Sequence, residues 1–123
     1  MSRSKAIKVV AVVKDLFFVA RIRETARLVG TELIFARTPE ELAAGLEGEK
    51  PSLVIIDLTT TGWEYEAFFS GLEGKAPGVP LLGFTTHALA RQTQPLHARC
   101  ARVVTKETLT QELSTILREG IAA

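Results

Sequence analysis

Two hydrophobic patterns alternate along the chain. Short aliphatic runs with little polar alternation are typical of strands buried on both faces of a parallel sheet, and they predict strands at 7–13, 33–36, 53–56, 81–84 and 102–104. After each run, apolar residues recur at helical spacing, as Phe18, Ile22 and Ala26 do. Five strand–helix units in succession predict a parallel sheet with helices on both faces, because parallel neighbours need right-handed crossovers.

Residues that favour helix ends mark the boundaries of the first two helices. Gly30 follows the first helical stripe, as a C-cap glycine does. The stretch TPEE at 38–41 predicts the start of the second helix. There Thr38 can cap, Pro39 suits the first helical position, and Glu41 can reach back to complete a capping box.

The later helices have less regular boundaries. Thr61 and Glu64 have the spacing of another capping box before the third helix. The fourth helix is predicted at 87–98, and Pro95 should break or shorten it because proline lacks the N–H of a helix interior. The last helix is predicted by an apolar stripe that consists of Leu109, Leu113, Ile116, Leu117 and Ile121.

The length and composition fit one soluble domain. We predict a domain at 6–121 and a flexible tail at 1–5, and no stretch reaches membrane-spanning length. The formal net charge of +1 predicts no strong general affinity for nucleic acid or anionic membrane. The one cysteine, Cys100, cannot form an internal disulfide, which favours a reducing compartment. We therefore predict a cytoplasmic protein.

Polar side chains follow the predicted strands at the point where each strand ends. Asp15 follows the first strand, Asp57 the third, Thr85 the fourth and Lys106 the fifth. In sheets of this kind, ligands and chemistry collect beyond the carboxyl ends of the strands. The sequence therefore predicts that two carboxylates, a hydroxyl and an ammonium group meet at one edge of the sheet.

These segments resemble the receiver domain of two-component response regulators, and the resemblance covers nearly the whole chain. LVIIDL matches the phosphoacceptor strand, PLLGFTT the strand-four segment, ARVVTK the lysine segment and VVKDL the acidic pair. The resemblance implies a flavodoxin-like α/β fold, which is a doubly wound five-stranded parallel sheet of order 2-1-3-4-5. It also implies that Asp57 accepts a phosphoryl group from a sensor histidine kinase.

The resemblance further implies a role for each residue at this edge. Thr85 and Lys106 would bind the phosphoryl oxygens, the first by a hydrogen bond and the second as a point charge. Asp15, Asp57 and the backbone carbonyl of Thr59 would hold Mg²⁺, a cation that favours carboxylates and waters. Phosphoryl transfer needs such positioning and charge neutralisation more than covalent help from the protein.

Lys14 departs from the family pattern because it occupies the position of the first acid. The edge then carries two positive and two negative charges, which would weaken Mg²⁺ binding. At ~4 Å, an ion pair of Lys14 with Asp57 gains about 4 kcal/mol at an effective dielectric of ~20, before desolvation is subtracted. The flexible side chain could instead extend into water.

Other departures affect the switch and the loop after the acceptor. Val103 stands at the switch position, where many receivers carry an aromatic ring, so the usual coupling of threonine to aromatic ring is not expected. Thr60 and Thr61 stand where the family usually has Met-Pro, and Glu107 stands where it usually has proline.

Some residues also have simpler interpretations. Asp57 alone could be a strand-end aspartate that caps a turn. Trp63 could be an exposed anchor near the site, or it could pack over the edge of the sheet. The stretch 76–105 contains three arginines and no acids, so it could be a docking face for an acidic partner or a solvated basic face.

We predict an atypical response-regulator receiver domain that takes part in two-component signal transduction, is not an enzyme and acts through protein–protein contact. Asp57 is its candidate phosphoacceptor. One alternative is a pseudo-receiver, in which Lys14 and Lys106 fix the pocket in one state without phosphate. Another is a small-molecule-binding flavodoxin-like domain, although no glycine-rich phosphate loop supports it. The predicted partner is a sensor histidine kinase or another signalling protein, rather than nucleic acid or membrane.

Overall fold

The computed structural model of the protein describes residues 8–121. Strands and helices alternate along this part of the chain, with the bounds β1 Lys8–Val12, α1 Leu16–Val29, β2 Glu32–Phe35, α2 Pro39–Gly45, β3 Leu53–Asp57, α3 Tyr65–Lys75, β4 Leu81–Thr85, α4 Ala90–His97, β5 Arg102–Thr105 and α5 Lys106–Glu119. The predicted tail at 1–5, the predicted domain start at residue 6 and the first residue of the predicted first strand lie outside the described residues.

The five strands form one parallel sheet in the order β2-β1-β3-β4-β5. Val10 of β1 is in register with Ile34 of β2 on one side and with Val54 of β3 on the other. All residues of β1, β3 and β4 are buried, whereas the edge strands β2 and β5 are partly exposed. These observations confirm the predicted flavodoxin-like α/β fold and its strand order.

Alternate residues of the central strands face two separate apolar layers. Val9 and Ala11 contribute to the layer that contains α1 and α5, and Val10 and Val12 contribute to the layer that contains α2 and α3. The helices are thus held on opposite faces of the sheet, and the loops that follow the strands collect at one edge between the two layers. Among the helices that the structure describes, none combines the length and apolarity that a bilayer-crossing segment needs.

The predicted boundaries of α1 and α2 are confirmed. Gly30 ends α1 with a φ of 77°, in the left-handed region that favours glycine. The Thr38 hydroxyl accepts a hydrogen bond from the Glu41 backbone N–H at 3.0 Å. The Glu41 carboxylate accepts from the Arg37 N–H at 2.7 Å, one residue before the position that a regular capping box uses.

The predicted capping box at Thr61 and Glu64 is wrong. α3 begins at Tyr65, and its N-cap residue Glu64 makes no side-chain capping hydrogen bond. The turn before α3 is instead organised around Asp57, whose carboxylate accepts the hydrogen bonds of Thr59 and Thr60. The capping-box spacing fails because α3 starts three residues later than a helix capped by Thr61 would.

The fourth helix is shorter than the predicted 87–98, since α4 spans Ala90–His97. The Leu89 N–H bonds to the carbonyl and the hydroxyl of Thr86, at 3.1 and 3.2 Å, so a turn precedes the helix. Pro95 lies inside α4 without breaking it, and the helix ends two residues later.

Candidate functional site

Four elements bring the predicted site residues to one edge of the sheet. Asp15 lies between β1 and α1, Asp57 and Thr85 are the last residues of β3 and β4, and Lys106 is the first residue of α5, directly after β5. Since all the strands are parallel, these positions lie at the carboxyl edge. The shared edge was predicted correctly, but the contacts within it form three separate groups.

The Asp57 carboxylate is buried and covered by the threonines that follow it. Its side chain belongs to a residue that is only 5% exposed. Oδ1 accepts the backbone N–H of Thr59 at 2.8 Å and the Thr59 hydroxyl at 2.6 Å, and Oδ2 accepts the Thr60 hydroxyl at 3.2 Å. Asp57 thus caps the turn that follows its strand, which is the simpler of the two interpretations above.

Tyr65 closes the same turn from the start of α3. Its phenolic oxygen lies 2.9 Å from the carbonyl oxygen of Asp57 and 2.9 Å from that of Thr60, both of which accept its hydrogen. Burial, and secondarily the negative charge of Asp57, raise the pKa of Tyr65 well above its usual value. The hydroxyl therefore keeps its proton and holds both ends of the turn together.

Asp15 and Lys106 form an ion pair in more open surroundings. Lys106 Nζ lies 3.0 Å from Asp15 Oδ2, and each side chain is about two-fifths exposed, at 40% for the lysine and 38% for the aspartate. The other oxygen, Oδ1, accepts the backbone N–H groups of Phe17 and Phe18 and caps α1. The hydrogen bond from Lys106 is the main cause that lowers the pKa of Asp15, and the helix N–H groups lower it further.

Thr85 belongs to a third group. Its residue is 3% exposed, and its hydroxyl lies 3.0 Å from the hydroxyl of Thr93 in α4. Within residues 8–121, no hydrogen bond or ion pair joins Asp57 to Asp15, Thr85 or Lys106. The edge therefore holds the predicted residues, but their side chains are satisfied by other partners.

Lys14 does not form the ion pair with Asp57 that its position suggested. Its ammonium lies 5.7 Å from the ring centroid of Trp63, as a cation–π contact. Trp63 is only 8% exposed and packs against Tyr65 and Phe68, so it lies over the sheet rather than projecting as an anchor. Within the part of the chain that the structure describes, no salt bridge reaches Lys14.

The donor set fits a resident Mg²⁺ poorly. Asp15 already binds an ammonium and two helix N–H groups, and three hydrogen bonds occupy Asp57. Two of the hydrogen bonds to Asp57 come from the N–H and the hydroxyl of Thr59, the residue whose backbone carbonyl is the third predicted ligand. Between residues 8 and 121, no three His, Cys, Asp or Glu side chains lie close enough to hold a metal ion together. Lys14 stands where the resemblance implies an acid, and its ammonium has the wrong charge for a cation ligand.

The remaining sequence features have structural partners. Val103, the predicted switch position, is partly buried against the α2–α3 layer. Two of the three arginines in the acid-free stretch bond to acids of other helices: Arg99 to Glu66 at 3.0 Å, and Arg102 to Glu112 at 3.4 Å. The docking face for an acidic partner that this stretch suggested is therefore largely neutralised by the protein itself.

Sequence reasoning missed Thr60, Tyr65 and Thr93 as contributors to this edge. The run of three threonines after Asp57 is the signal for the first, because serine, threonine and aspartate side chains readily bond to nearby turn groups. Nothing in the local pattern marks Tyr65 or Thr93, since both bond to residues that only the fold brings close.

A prominent apolar surface lies beside this edge, at the start of α1. Leu16 is 71% exposed and Phe17 is 91% exposed. A groove of about 500 Å³ separates Phe17 from the start of α5, and it is lined in part by Arg21 and Lys106. On its other side, Leu16 borders a pocket with Lys14 and Arg37. We call this area, defined by these six residues, the α1 surface.

No family model and no curated protein matches the chain. Solved structures do match its fold. The receiver domain of sensor histidine kinase PA1611 from Pseudomonas aeruginosa PAO1, which has a magnesium ion in its active-site cleft, gives a TM-score of 0.74 at 17% identity and covers 97% of this chain and 100% of that chain.

Two response regulators match similarly. Chemotaxis response regulator CheY4 of Vibrio cholerae gives a TM-score of 0.71 at 20% identity, over 91% of this chain and 99% of that chain. The phosphorylated cyanobacterial phytochrome response regulator RcpA gives a TM-score of 0.64 at 16% identity, over 93% of this chain and 90% of that chain. The protein thus has the fold of CheY-like receiver domains, and at these identities the likeness concerns the fold alone.

Proposed function

We propose that the protein is a receiver-type signalling module that acts through protein–protein contact and does not require phosphorylation of Asp57. One observation carries this proposal: Asp57 is only 5% exposed and both its carboxylate oxygens accept hydrogen bonds from Thr59 and Thr60, whereas Lys106 is paired with Asp15. Of the functions considered above, this corresponds to the pseudo-receiver.

Two features of the site oppose phosphoryl transfer to Asp57. An attacking carboxylate oxygen must approach phosphorus in line, and both oxygens already accept hydrogen bonds from the covering turn. The Lys106 ammonium, which would neutralise the incoming phosphoryl group, is paired with the Asp15 carboxylate instead. Transfer would thus require the turn to open and the Lys106 ammonium to leave its present partner.

Mg²⁺ does not enter the proposed function. Asp57 accepts hydrogen bonds from its own loop, and Asp15 is paired with the Lys106 ammonium. Lys14 adds a positive charge beside Trp63. The magnesium ion of the PA1611 receiver domain belongs to that protein, which is 17% identical to this one.

The α1 surface supports contact with another protein. Two adjacent large apolar side chains, Leu16 and Phe17, are 71% and 91% exposed there, and contiguous exposed apolar patches with a polar rim are typical of interaction sites. The positive charges of Lys14, Arg21 and Arg37 lie around them and outnumber the two acids, Glu41 and Glu107, that line the same pockets. We infer a partner segment that combines apolar with acidic residues, carried by a histidine kinase or another signalling protein of the cytoplasm.

Intact-mass measurement tests the proposal. The protein is incubated with acetyl phosphate and Mg²⁺, and separately with phosphoramidate and Mg²⁺, and the chain is weighed beside Asp57→Asn treated in the same way. We expect identical masses with and without donor in both proteins. A phosphate-sized gain that the wild type shows and Asp57→Asn lacks would overturn the proposal.

That same result would establish the second candidate function, a receiver phosphorylated on Asp57. The position of Asp57, Thr85 and Lys106 at the ends of neighbouring parallel strands favours this candidate. A Thr59→Ala, Thr60→Ala double variant sharpens the distinction, because it removes the two hydroxyl groups that cover the carboxylate. Faster labelling of that variant than of the wild type would show that the threonine cover limits transfer.

A further inference from the structure

The hydroxyl of Thr85 is connected to the end of α4 by a chain of hydrogen bonds. Thr85 Oγ1 lies 3.0 Å from Thr93 Oγ1, and Thr93 Oγ1 lies 2.8 Å from His97 Nε2. Thr85 and Thr93 are 3% and 5% exposed, whereas His97 is partly exposed. This series of hydrogen bonds thus runs from the buried carboxyl edge of the sheet to the surface.

The Thr93 hydroxyl can bond to all three of its neighbours at once only when Thr85 and His97 both donate a hydrogen to it. Its oxygen also lies 3.2 Å from the carbonyl oxygen of Ala90, so it has three potential partners besides its own carbon. A hydroxyl donates one hydrogen and accepts at its lone pairs. Its single hydrogen must therefore go to His97, to Ala90 or to Thr85, and that choice fixes what the other partners do.

The position of the hydrogen on the His97 imidazole restricts this choice. When Nε2 carries no hydrogen, Thr93 donates to it and must accept the hydrogen of Thr85, which then points into α4. When Nε2 carries a hydrogen, the imidazole donates to Thr93, whose own hydrogen can go to Ala90 or to Thr85. In the latter case the Thr85 hydrogen is free to point towards the carboxyl edge.

We propose that Thr93 and His97 are positioning residues for the Thr85 hydroxyl, and that they couple the carboxyl edge of the sheet to the exposed end of α4. The coupling deepens the proposed function, and it rests on that function in taking the protein as a signalling module. A contact at the end of α4 that removes the hydrogen from His97 Nε2 holds the Thr85 hydroxyl on Thr93, and a contact that places a hydrogen there frees the Thr85 hydroxyl to turn. In the other direction, Thr85 can give its hydrogen to the carboxyl edge and keep its bond to Thr93 only when Nε2 carries a hydrogen.

The simpler interpretation is that Thr93 only bonds back to its own helix. Threonine inside a helix often does so, and the 3.2 Å distance to the Ala90 carbonyl has that geometry. The distances to Thr85 and His97 are both shorter, and Thr93 is the buried residue of α4. Val103 offers no ring that could perform such coupling in its place.

Nuclear magnetic resonance tests the coupling at one fixed pH. The imidazole nitrogen shifts of His97 report which nitrogen carries the hydrogen, and His87, which is exposed in the turn before α4, provides an internal control. Thr85→Val removes a hydroxyl that makes no hydrogen bond to His97 within the described residues. We expect it to shift the His97 nitrogens and leave those of His87 unchanged.

Matched variants separate coupling from general disturbance. Thr93→Val should shift the His97 nitrogens further than Thr85→Val does, and Thr93→Ser, which keeps a hydroxyl, should restore the wild-type shifts. Replacing His97 tests the effect of His97 on Thr85, and it spares the core because His97 is partly exposed. We expect His97→Gln to move the Thr85 methyl resonance and the matched His87→Gln to leave it unchanged.

The proposal is overturned if His97→Gln leaves the Thr85 methyl resonance at its wild-type position, whether or not the valine variants fold. It is also overturned if a folded Thr85→Val protein keeps the wild-type His97 nitrogen shifts. Neither measurement involves a phosphodonor, so a failed coupling leaves the mass experiment on Asp57 unaffected, and phosphorylation of Asp57 would not remove the coupling.

Discussion

The two aspartates at the carboxyl edge of the sheet lie in opposite surroundings. Asp57 is buried, and its oxygens accept hydrogen bonds from neutral groups of its own loop. Asp15 is considerably exposed, and its oxygens bind a lysine from the far end of the chain and the first N–H groups of α1. One carboxylate therefore stabilises a local turn, and the other joins α1 to α5.

This difference shows why position alone does not define a site. Both residues follow β-strands of the same parallel sheet, so topology places them alike. The environment then separates them, because a buried carboxylate must have its charge satisfied by nearby donors, whereas an exposed one is also satisfied by water. Both oxygens of each aspartate accept hydrogen bonds, and the Lys106 ammonium is paired with Asp15.

The largest expected effect concerns the stability that Asp57 provides. Asp57→Ala leaves the Thr59 N–H and two hydroxyls without an acceptor, so we expect the free energy of unfolding to fall by about 2–4 kcal/mol. Asp57→Asn keeps an acceptor at Oδ1 and should cost about 1 kcal/mol. Urea unfolding with a common m-value measures both.

The opposite sign for Asp57→Ala would contradict the turn-capping role. Carboxylates kept for activity are often destabilising, so their removal tends to stabilise a protein. An alanine variant that is at least as stable as the wild type would therefore place Asp57 among reactive carboxylates and weaken the contrast with Asp15.

A smaller loss is expected at Asp15. Asp15→Ala removes the N-cap of α1 and should cost about 1 kcal/mol, whereas Asp15→Asn keeps the cap and loses only the exposed ion pair, at a cost of about 0.5 kcal/mol or less. Thermal or urea unfolding of the two variants beside the Asp57 pair measures the contrast. If Asp15→Ala and Asp57→Ala lower the free energy of unfolding equally, the contrast between the two aspartates does not hold.

Most of the fold could be predicted from the sequence, and so could the location of the candidate site. The apolar runs predicted the strands, and parallel topology then brought Asp15 and Lys106 together although 91 positions separate them. The path of the loop from Asp57 to Tyr65 could not be predicted, because it depends on competition among several donors for one buried carboxylate. The capping-box prediction failed there because α3 starts three residues later than a helix capped by Thr61 would.

The hydrogen-bond partners of the polar side chains could not be predicted from the sequence either. Thr93 is a polar residue in a short helix, and only the approach of α4 to β4 makes it the partner of Thr85. Lys14 could be placed at the edge, but the choice between the Asp57 carboxylate and the Trp63 ring depended on how far Asp57 was already satisfied by its loop.

The ion pair should give Asp15 a pH dependence that Asp57 variants do not alter. Because Lys106 lowers the pKa of Asp15 in the folded state, the pair contributes stability above the unfolded pKa, which is about 4, and the contribution is lost as pH falls through the lower folded pKa. The pair is more than one-third exposed, so the advantage at pH 7 should be below about 1 kcal/mol.

Urea unfolding of the wild type and Lys106→Gln across this range measures the effect. The difference between the two proteins should be constant from pH 7 to about 5 and shrink below about pH 4. Lys75→Gln is a matched control, because Lys75 is half-exposed and lies 3.9 Å from Glu47. A difference for Lys106→Gln that is unchanged in acid would show that the lysine acts through packing on Phe18 instead, which it contacts at 5.0 Å from the ring centroid.

The smallest expected effect concerns Lys14. Its variants test whether Asp57, like Asp15, interacts with a lysine ammonium. Its ammonium faces Trp63, so Lys14→Met should cost about 0.5 kcal/mol and change the emission of Trp63, the one tryptophan of the chain. A double-mutant cycle with Trp63→Phe should give coupling of this size, and a cycle with Asp57→Asn should give none. If the coupling instead appears with Asp57→Asn, Lys14 neutralises the buried carboxylate directly, and the contrast between a locally satisfied Asp57 and an ion-paired Asp15 no longer holds.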